Sequence, residues 1–186
     1  MIDEIDGYYL LSLGFPNKRI VNPEKTINRL RSTSNQVQVQ LLNAGLVAGP
    51  EHLRFAARNA LHSFRGKDPK SKSLAVEYLL YVSCQRQISK AIRLLGIEEV
   101  QDGIVVVALS QSREALVKLE SESKSIFGDT DDGLIEVNSK RKIARIQKAF
   151  GVAKKEMDAS RFEGESEVDV LKRLIVERSA LLDIRY

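Results

Sequence analysis

The residues with the most evident chemical potential lie in "YVSCQRQISKAI" (81–92), which holds the chain's single cysteine, Cys84, followed by Gln85, Arg86 and Gln87. A nucleophilic thiol would need a base, and the two histidines, His52 and His62, both fall on one expected helix. The sequence names no third group to orient such a pair, and Cys84 lies in no protease signature. It reads as an inert, buried thiol at a strand end. One cysteine and two histidines ten residues apart give no metal-ligand spacing, so no metal is expected. "DTDDG" (129–133) resembles part of a calcium loop but lacks the alternate aspartates and distal glutamate, and reads as an acidic surface loop. "GLVAG" (45–49) lacks the Lys-Ser/Thr of a phosphate loop. No catalytic residue and no cofactor is expected.

Binding chemistry is better represented. Arg54, Arg58 and Arg65 fall within about 40° on a helical wheel. The following loop adds Lys67, Lys70 and Lys72 among Gly, Pro and Ser, an exposed setting. Such a face can contact phosphates or simply lie in water. Lys140, Arg141, Lys142, Arg145, Lys148, Lys154 and Lys155 crowd one stretch, just after Asp129, Asp131 and Asp132. The net charge of +4 is therefore unevenly placed and can steer a polyanion.

The elements that position these residues follow from periodicity. "YYLLSL" (8–13) and "VQVQLL" (37–42) read as strands, and "GIVVVAL" (103–109) as a central strand covered on both faces. "LAVEYLLYVS" (74–83) is taken as a strand because Val76, Tyr78, Leu80 and Val82 alternate. Helices are expected over 23–32, with Asn22 as cap and Pro23 in the first turn, and over 50–64, with Leu53, Ala56, Ala57, Ala60, Leu61 and Phe64 on one face. A further helix places Ile88, Ala91, Ile92 and Leu95 together and ends at Gly96. Others are expected near 112–127, 140–150 and 167–182. The fold class is α/β (α+β), one domain over 1–186, with a central mixed sheet of four to five strands flanked by helices.

In this arrangement "LVAGPEH" and "SCQRQ" are both strand-to-helix joints. If the two strands run the same way, both helix starts open on one sheet edge and offer N–H groups to an anion. His52, Asn59, Gln85, Arg86 and Gln87 would add side chains for bases or phosphates; alternatively the glutamines only cap and solvate the turn. The last helix carries Val168, Val170, Leu171, Leu174, Ile175, Val176, Leu181, Leu182 and Ile184, too many apolar residues for one stripe. It is either an ordinary core helix or a docking end.

A chain with 43% hydrophobic and 29% charged residues is expected to be a soluble globular protein. No run approaches the ~20 apolar residues of a membrane helix. The start, "MIDEIDGYYLLSL", is acidic before it is apolar and is not expected to be a secretory signal. A lone cysteine fits a reducing cytoplasm.

"VQLLNAGLVAGPEHLRFAARNALHSF" followed by "SKSLAVEYLLYVSCQRQISKAIRLLGI" resembles the PRPK-binding-protein (TPRKB-like) family. The match is densest over 39–97, and V-A-G-x-x-H-L with S-x-x-R-Q-I some thirty residues later is its distinctive pair. It runs more weakly through the 103–109 strand and "ERSALLDI". Cys84 departs from the pattern, which usually has a small residue such as glycine there. The resemblance implies a non-catalytic subunit of the KEOPS complex. Such a subunit binds the kinase-like ATPase subunit and supports its activity, and it meets other KEOPS subunits indirectly. It also implies help in recruiting tRNA, including the 3′ acceptor end, for N6-threonylcarbamoyladenosine formation. The RNA role is carried to His52, Arg54, Arg58, Asn59, Arg65, Lys67, Lys72, Gln85, Arg86 and Gln87, and kinase docking to Leu174, Val176, Leu181 and Ile184. The competing expectation is a protein-only scaffold with no direct RNA contact.

Overall fold

The computed structural model describes residues 1–16, 20–66, 69–97, 102–182 and 184. Lys67, one of the expected RNA contacts, lies outside them. Four strands form one sheet, β1 (Ile2–Ile5), β2 (Tyr8–Pro16), β3 (Gln38–Asn43) and β4 (Gly103–Ser110), in the order β1-β2-β4-β3. Every pairing is antiparallel, so the expected mixed sheet is corrected. The short strand β1 was not foreseen. Asp6 and Gly7 both have positive φ and close a two-residue hairpin that pairs Ile5 with Tyr8. An Asp-Gly pair is the residue choice that this turn favours.

β4 lies between β2 and β3, and all eight of its residues are buried. That explains its unbroken apolar run: Ile104, Val106 and Ala108 face one layer, Val105, Val107 and Leu109 the other. Helices α1 (Pro23–Arg31) and α5 (Arg113–Phe127) cover the first face. On the second face pack α2 (Pro50–Arg65), α3 (Leu74–Val82), α6 (Lys140–Phe150) and α8 (Glu167–Ala180). The eight-residue α4 (Ile88–Leu95) leans on α3, and the short α7 (Lys154–Ser160) on α8. Asn22 caps α1 as expected, accepting from the Lys25 N–H at 2.8 Å.

Residues 74–82 are a helix, not a strand. Eight of the nine are buried, so the segment has no polar side to reveal a 3.6-residue period, and alternation arises by chance. The joint after it is consequently a helix C-terminus. Gln85 N–H bonds the Leu80 carbonyl and Cys84 N–H the Tyr81 carbonyl, the paired bonds of a Schellman cap. Cys84 occupies the left-handed position of that cap, with φ 54°. The cysteine expected at a strand end therefore stands where helix caps most often use glycine, half-buried, its Sγ 3.7 Å from the Ile175 carbonyl.

Candidate functional site

Helices α2 and α3 lie antiparallel. His52 at the start of α2 meets Val82 at the end of α3, while Ser63 near the end of α2 donates to Glu77 near the start of α3 at 2.7 Å. Their two ends are some ~20 Å apart at 1.5 Å per residue. This separates the expected RNA residues into two groups. The idea of two like strands opening two helix starts on one edge fails with the strand over 74–83.

At one end, His52 is fully buried. Its Nδ1 accepts from the Ala48 N–H at 3.1 Å, so the neutral ring carries its proton on Nε2, which donates to the Val82 carbonyl at 2.7 Å. Burial pulls its pKa to about 4; the Val82 carbonyl opposes this and the Lys142 cation adds to it. The residue expected to touch RNA thus ties the Gly49–Pro50 turn to the end of α3 from below. Asn59 is half-buried and donates to Ser179 on α8 at 3.4 Å. Gln85 is half-buried and Gln87 exposed. Arg86 reaches across to α8, its Nε and Nη2 donating to the Leu182 carbonyl at 3.1 and 2.8 Å.

That clamp sets the start of α4 beside the end of α8. Ile88 and Ile92, expected to pack inward, are 44% and 55% exposed on one side of α4. Leu181 and Ile184 are 39% and 64% exposed. Ile88 follows Arg86 by two residues and Leu181 directly precedes Leu182, so exposed aliphatic residues flank the clamp on both segments, with Ile92 one turn further along α4 and Ile184 just beyond the end of α8. Of the other residues expected to dock a partner, Leu174 is buried in the core and Val176 half-buried, so Leu181 and Ile184 are the exposed ones of that set. Sequence reasoning missed Ile88 and Ile92. Their i, i+4 spacing is the same as that of Ala91 and Leu95, so periodicity alone does not tell which pair turns inward; the structure buries Ala91 and Leu95.

Along the length of α2, Arg54, Arg58 and Arg65 are engaged. Arg54 pairs with Glu51 at 2.8 Å and approaches Asp3 at 4.0 Å, and Arg58 approaches Asp6 at 3.7 Å. Arg65 donates to the Asp6 carbonyl at 2.8 Å and its guanidinium lies 5.2 Å above the Tyr8 ring. The β1–β2 hairpin thus partly neutralises the face that reads as basic in the sequence. Lys70 is half-buried, donating to the Tyr81 hydroxyl at 2.7 Å, whereas Lys72 is exposed as expected. The buried Glu77 accepts from the Lys70 backbone N–H at 3.2 Å and anchors this loop. Lys72 borders a groove of about 600 Å³ at the sheet end, which also presents Tyr8, Phe64, Gln36, Gln38 and Gln111.

The sequence comparisons bear on this arrangement. The description "Kinase binding protein CGI-121" matches residues 18–183. The chain belongs to the CGI-121 family. The match takes in all eight helices, from α1 to α8. The chain is also similar to "Regulatory protein Cgi121" of Methanocaldococcus jannaschii, 33% identical over 102 residues, 55% of this chain. The matched stretch spans 63% of that relative's length. The family is the one that V-A-G-x-x-H-L and S-x-x-R-Q-I indicated. In this CGI-121 chain, His52 of the first motif ties the start of α2 to the end of α3, and Arg86 of the second ties the residue after α3's cap to Leu182 just past α8. Among the described residues, no helix is long and apolar enough to cross a membrane.

Proposed function

We propose that this CGI-121 family member is a non-catalytic accessory subunit of the KEOPS complex. It docks the kinase-like ATPase subunit through Ile88, Ile92, Leu181 and Ile184 and supports its activity in the cytoplasm. The observation that carries the reading is the pair of exposed aliphatic edges on either side of the Arg86 clamp. Apolar side chains grouped on an otherwise charged surface favour a protein partner. The family's description as kinase-binding names the kind of partner. The clamp donates two hydrogen bonds to one carbonyl and pre-forms the face, which lowers the ordering cost of docking.

The second part of the proposal is that the subunit helps recruit tRNA, including its 3′ acceptor end, for N6-threonylcarbamoyladenosine formation beside the anticodon. Support comes from the groove at Lys72. A lysine, two aromatic rings and three side-chain amides suit an unpaired RNA end, which is read by stacking and base-edge hydrogen bonds. Arg65, Gln85 and Gln87 are further candidate contacts. His52 acts through the fold instead of touching RNA. Mobility shifts with intact and 3′-trimmed tRNA test this part: weaker binding of trimmed tRNA is expected, and equal binding contradicts the acceptor-end reading.

A protein-only scaffold is the second reading. The pairing of Arg54, Arg58 and Arg65 with the β1–β2 hairpin favours it, since paired cations offer less to phosphates. Capture of the kinase-like subunit with no tRNA affinity at low salt would select it.

A further inference from the structure

A cavity of about 180 Å³ lies beside the start of α6, apart from both surfaces described above. Its wall carries three cations, Arg141, Lys142 and Arg145, against one carboxylate, Asp102. One Asp102 oxygen is 2.8 Å from Arg145 Nη1 and 3.6 Å from Arg141 Nη2, so a single carboxylate is shared by two guanidinia. Lys142 is 8% exposed, and its Nζ donates to the carbonyls of Leu134 at 2.6 Å and Glu136 at 2.9 Å. An ammonium has three N–H groups, and the third meets no acceptor among the described residues. The opposite wall is backbone. A Cβ on Gly45 would come within 2.8–3.0 Å of the Arg145 guanidinium, so only a residue without a side chain lets it lie there undisturbed.

We propose that this cavity is an oxyanion site that takes one phosphate group. Its volume is below the ~300–1,000 Å³ of pockets that enclose whole drug-sized ligands, so it suits a single tetrahedral group and not a nucleotide. The Arg145 guanidinium, held by Asp102, and the more exposed Arg141 beside it can each offer paired N–H donors to phosphate oxygens. The cluster also holds more positive charge than its own acids balance. Burial pulls the Lys142 pKa to about 8, opposed by the Glu136 carboxylate and helped by the Arg145 and Lys172 cations. A bound anion would relieve that repulsion. The phosphate belongs either to a small phosphorylated compound or to the RNA backbone. The inference does not rest on the kinase or tRNA readings.

The test is a titration of isotope-labelled protein with inorganic phosphate at constant ionic strength, followed by amide NMR shifts. Saturable shifts at Gly45, Gly103 and the first turn of α6 are expected. Arg145→Gln and Gly45→Ala should each weaken binding fivefold or more. The alanine changes no charge; it only displaces the end of a flexible side chain, which the fold tolerates. Titrating tRNA with the same variants separates the two sources. A parallel loss of tRNA affinity assigns the site to a backbone phosphate, and unchanged tRNA affinity beside lost inorganic phosphate binding assigns it to a small compound. The proposal is overturned if inorganic phosphate gives no saturable shift and Arg145→Gln leaves tRNA affinity unchanged. It is equally overturned if both variants bind both probes like the parent chain.

Discussion

His52 carries two jobs that a single substitution separates. Its ring bridges Ala48 and Val82 only when neutral, and its folded pKa of about 4 lies below the ordinary value of 6.5. Between pH 6.5 and 4 the unfolded chain takes up a proton that the folded chain refuses, so stability falls as pH drops through this window. The full shift corresponds to roughly 3 kcal/mol at 1.36 kcal/mol per pK unit. Denaturant unfolding at pH 7 and pH 4.5 should show the parent chain losing more stability than His52→Gln, once the common carboxylate contribution is subtracted. Equal losses would remove the buried ring as the cause. Cys84 gives a second residue-scale prediction. Its left-handed backbone costs about 1–2 kcal/mol, which glycine relieves, while glycine raises the entropy of the unfolded chain by about 0.4–1 kcal/mol. Cys84→Gly should therefore leave stability unchanged or raise it by up to about 1.5 kcal/mol, and leave partner binding intact. A loss of partner binding in a stable Cys84→Gly protein would restore a role for the thiol.

At the scale of elements, the joint between α3 and α4 shows how local misreading displaces function. Once 74–82 is a helix, "SCQRQ" joins two helices: its first residues cap the end of α3, Arg86 reaches the end of α8, and Gln87 is the N-cap of α4 as the expected helix start required. Arg86→Ala should free the Leu182 carbonyl, loosen the last turn of α8 and cost about 1–3 kcal/mol, since charged donors hold carbonyls more tightly than neutral ones. Hydrogen exchange at the end of α8 should rise while α5, on the far side of the sheet, stays protected. Uniform exchange across both helices would deny the clamp its local role. The helices with one polar side, α2 and α6, were legible in the sequence because half their surface stays in water. The fully buried α3 was not, because burial on all sides erases the period. The seven-residue α7 was too short to show one.

For the molecule as a whole, the α+β class and three of the four strands followed from apolar runs and alternation. Strand order did not, because antiparallel pairing of β2 with β4 and β4 with β3 joins segments far apart in sequence. The basic face of α2 was only half legible. Its cations were visible in the sequence, but their partners Asp3 and Asp6 lie in a four-residue strand and its turn, too short a stretch to show a pattern. If those pairs matter, Glu51→Gln with Asp6→Asn should release Arg54 and Arg58 and strengthen tRNA binding severalfold at low salt, with a steeper salt dependence. No change in the slope of affinity against salt would exclude that face from RNA contact.

The docking claim meets its most direct test in calorimetric titration of the purified kinase-like ATPase subunit into the parent chain, Ile92→Asp and Leu181→Asp. Both side chains are exposed, so melting temperatures should stay within a few degrees of the parent. A carboxylate placed in a desolvated apolar contact should weaken binding about tenfold or more, at least ~1.4 kcal/mol. Parent-like affinity in both variants would contradict docking through the α4–α8 face.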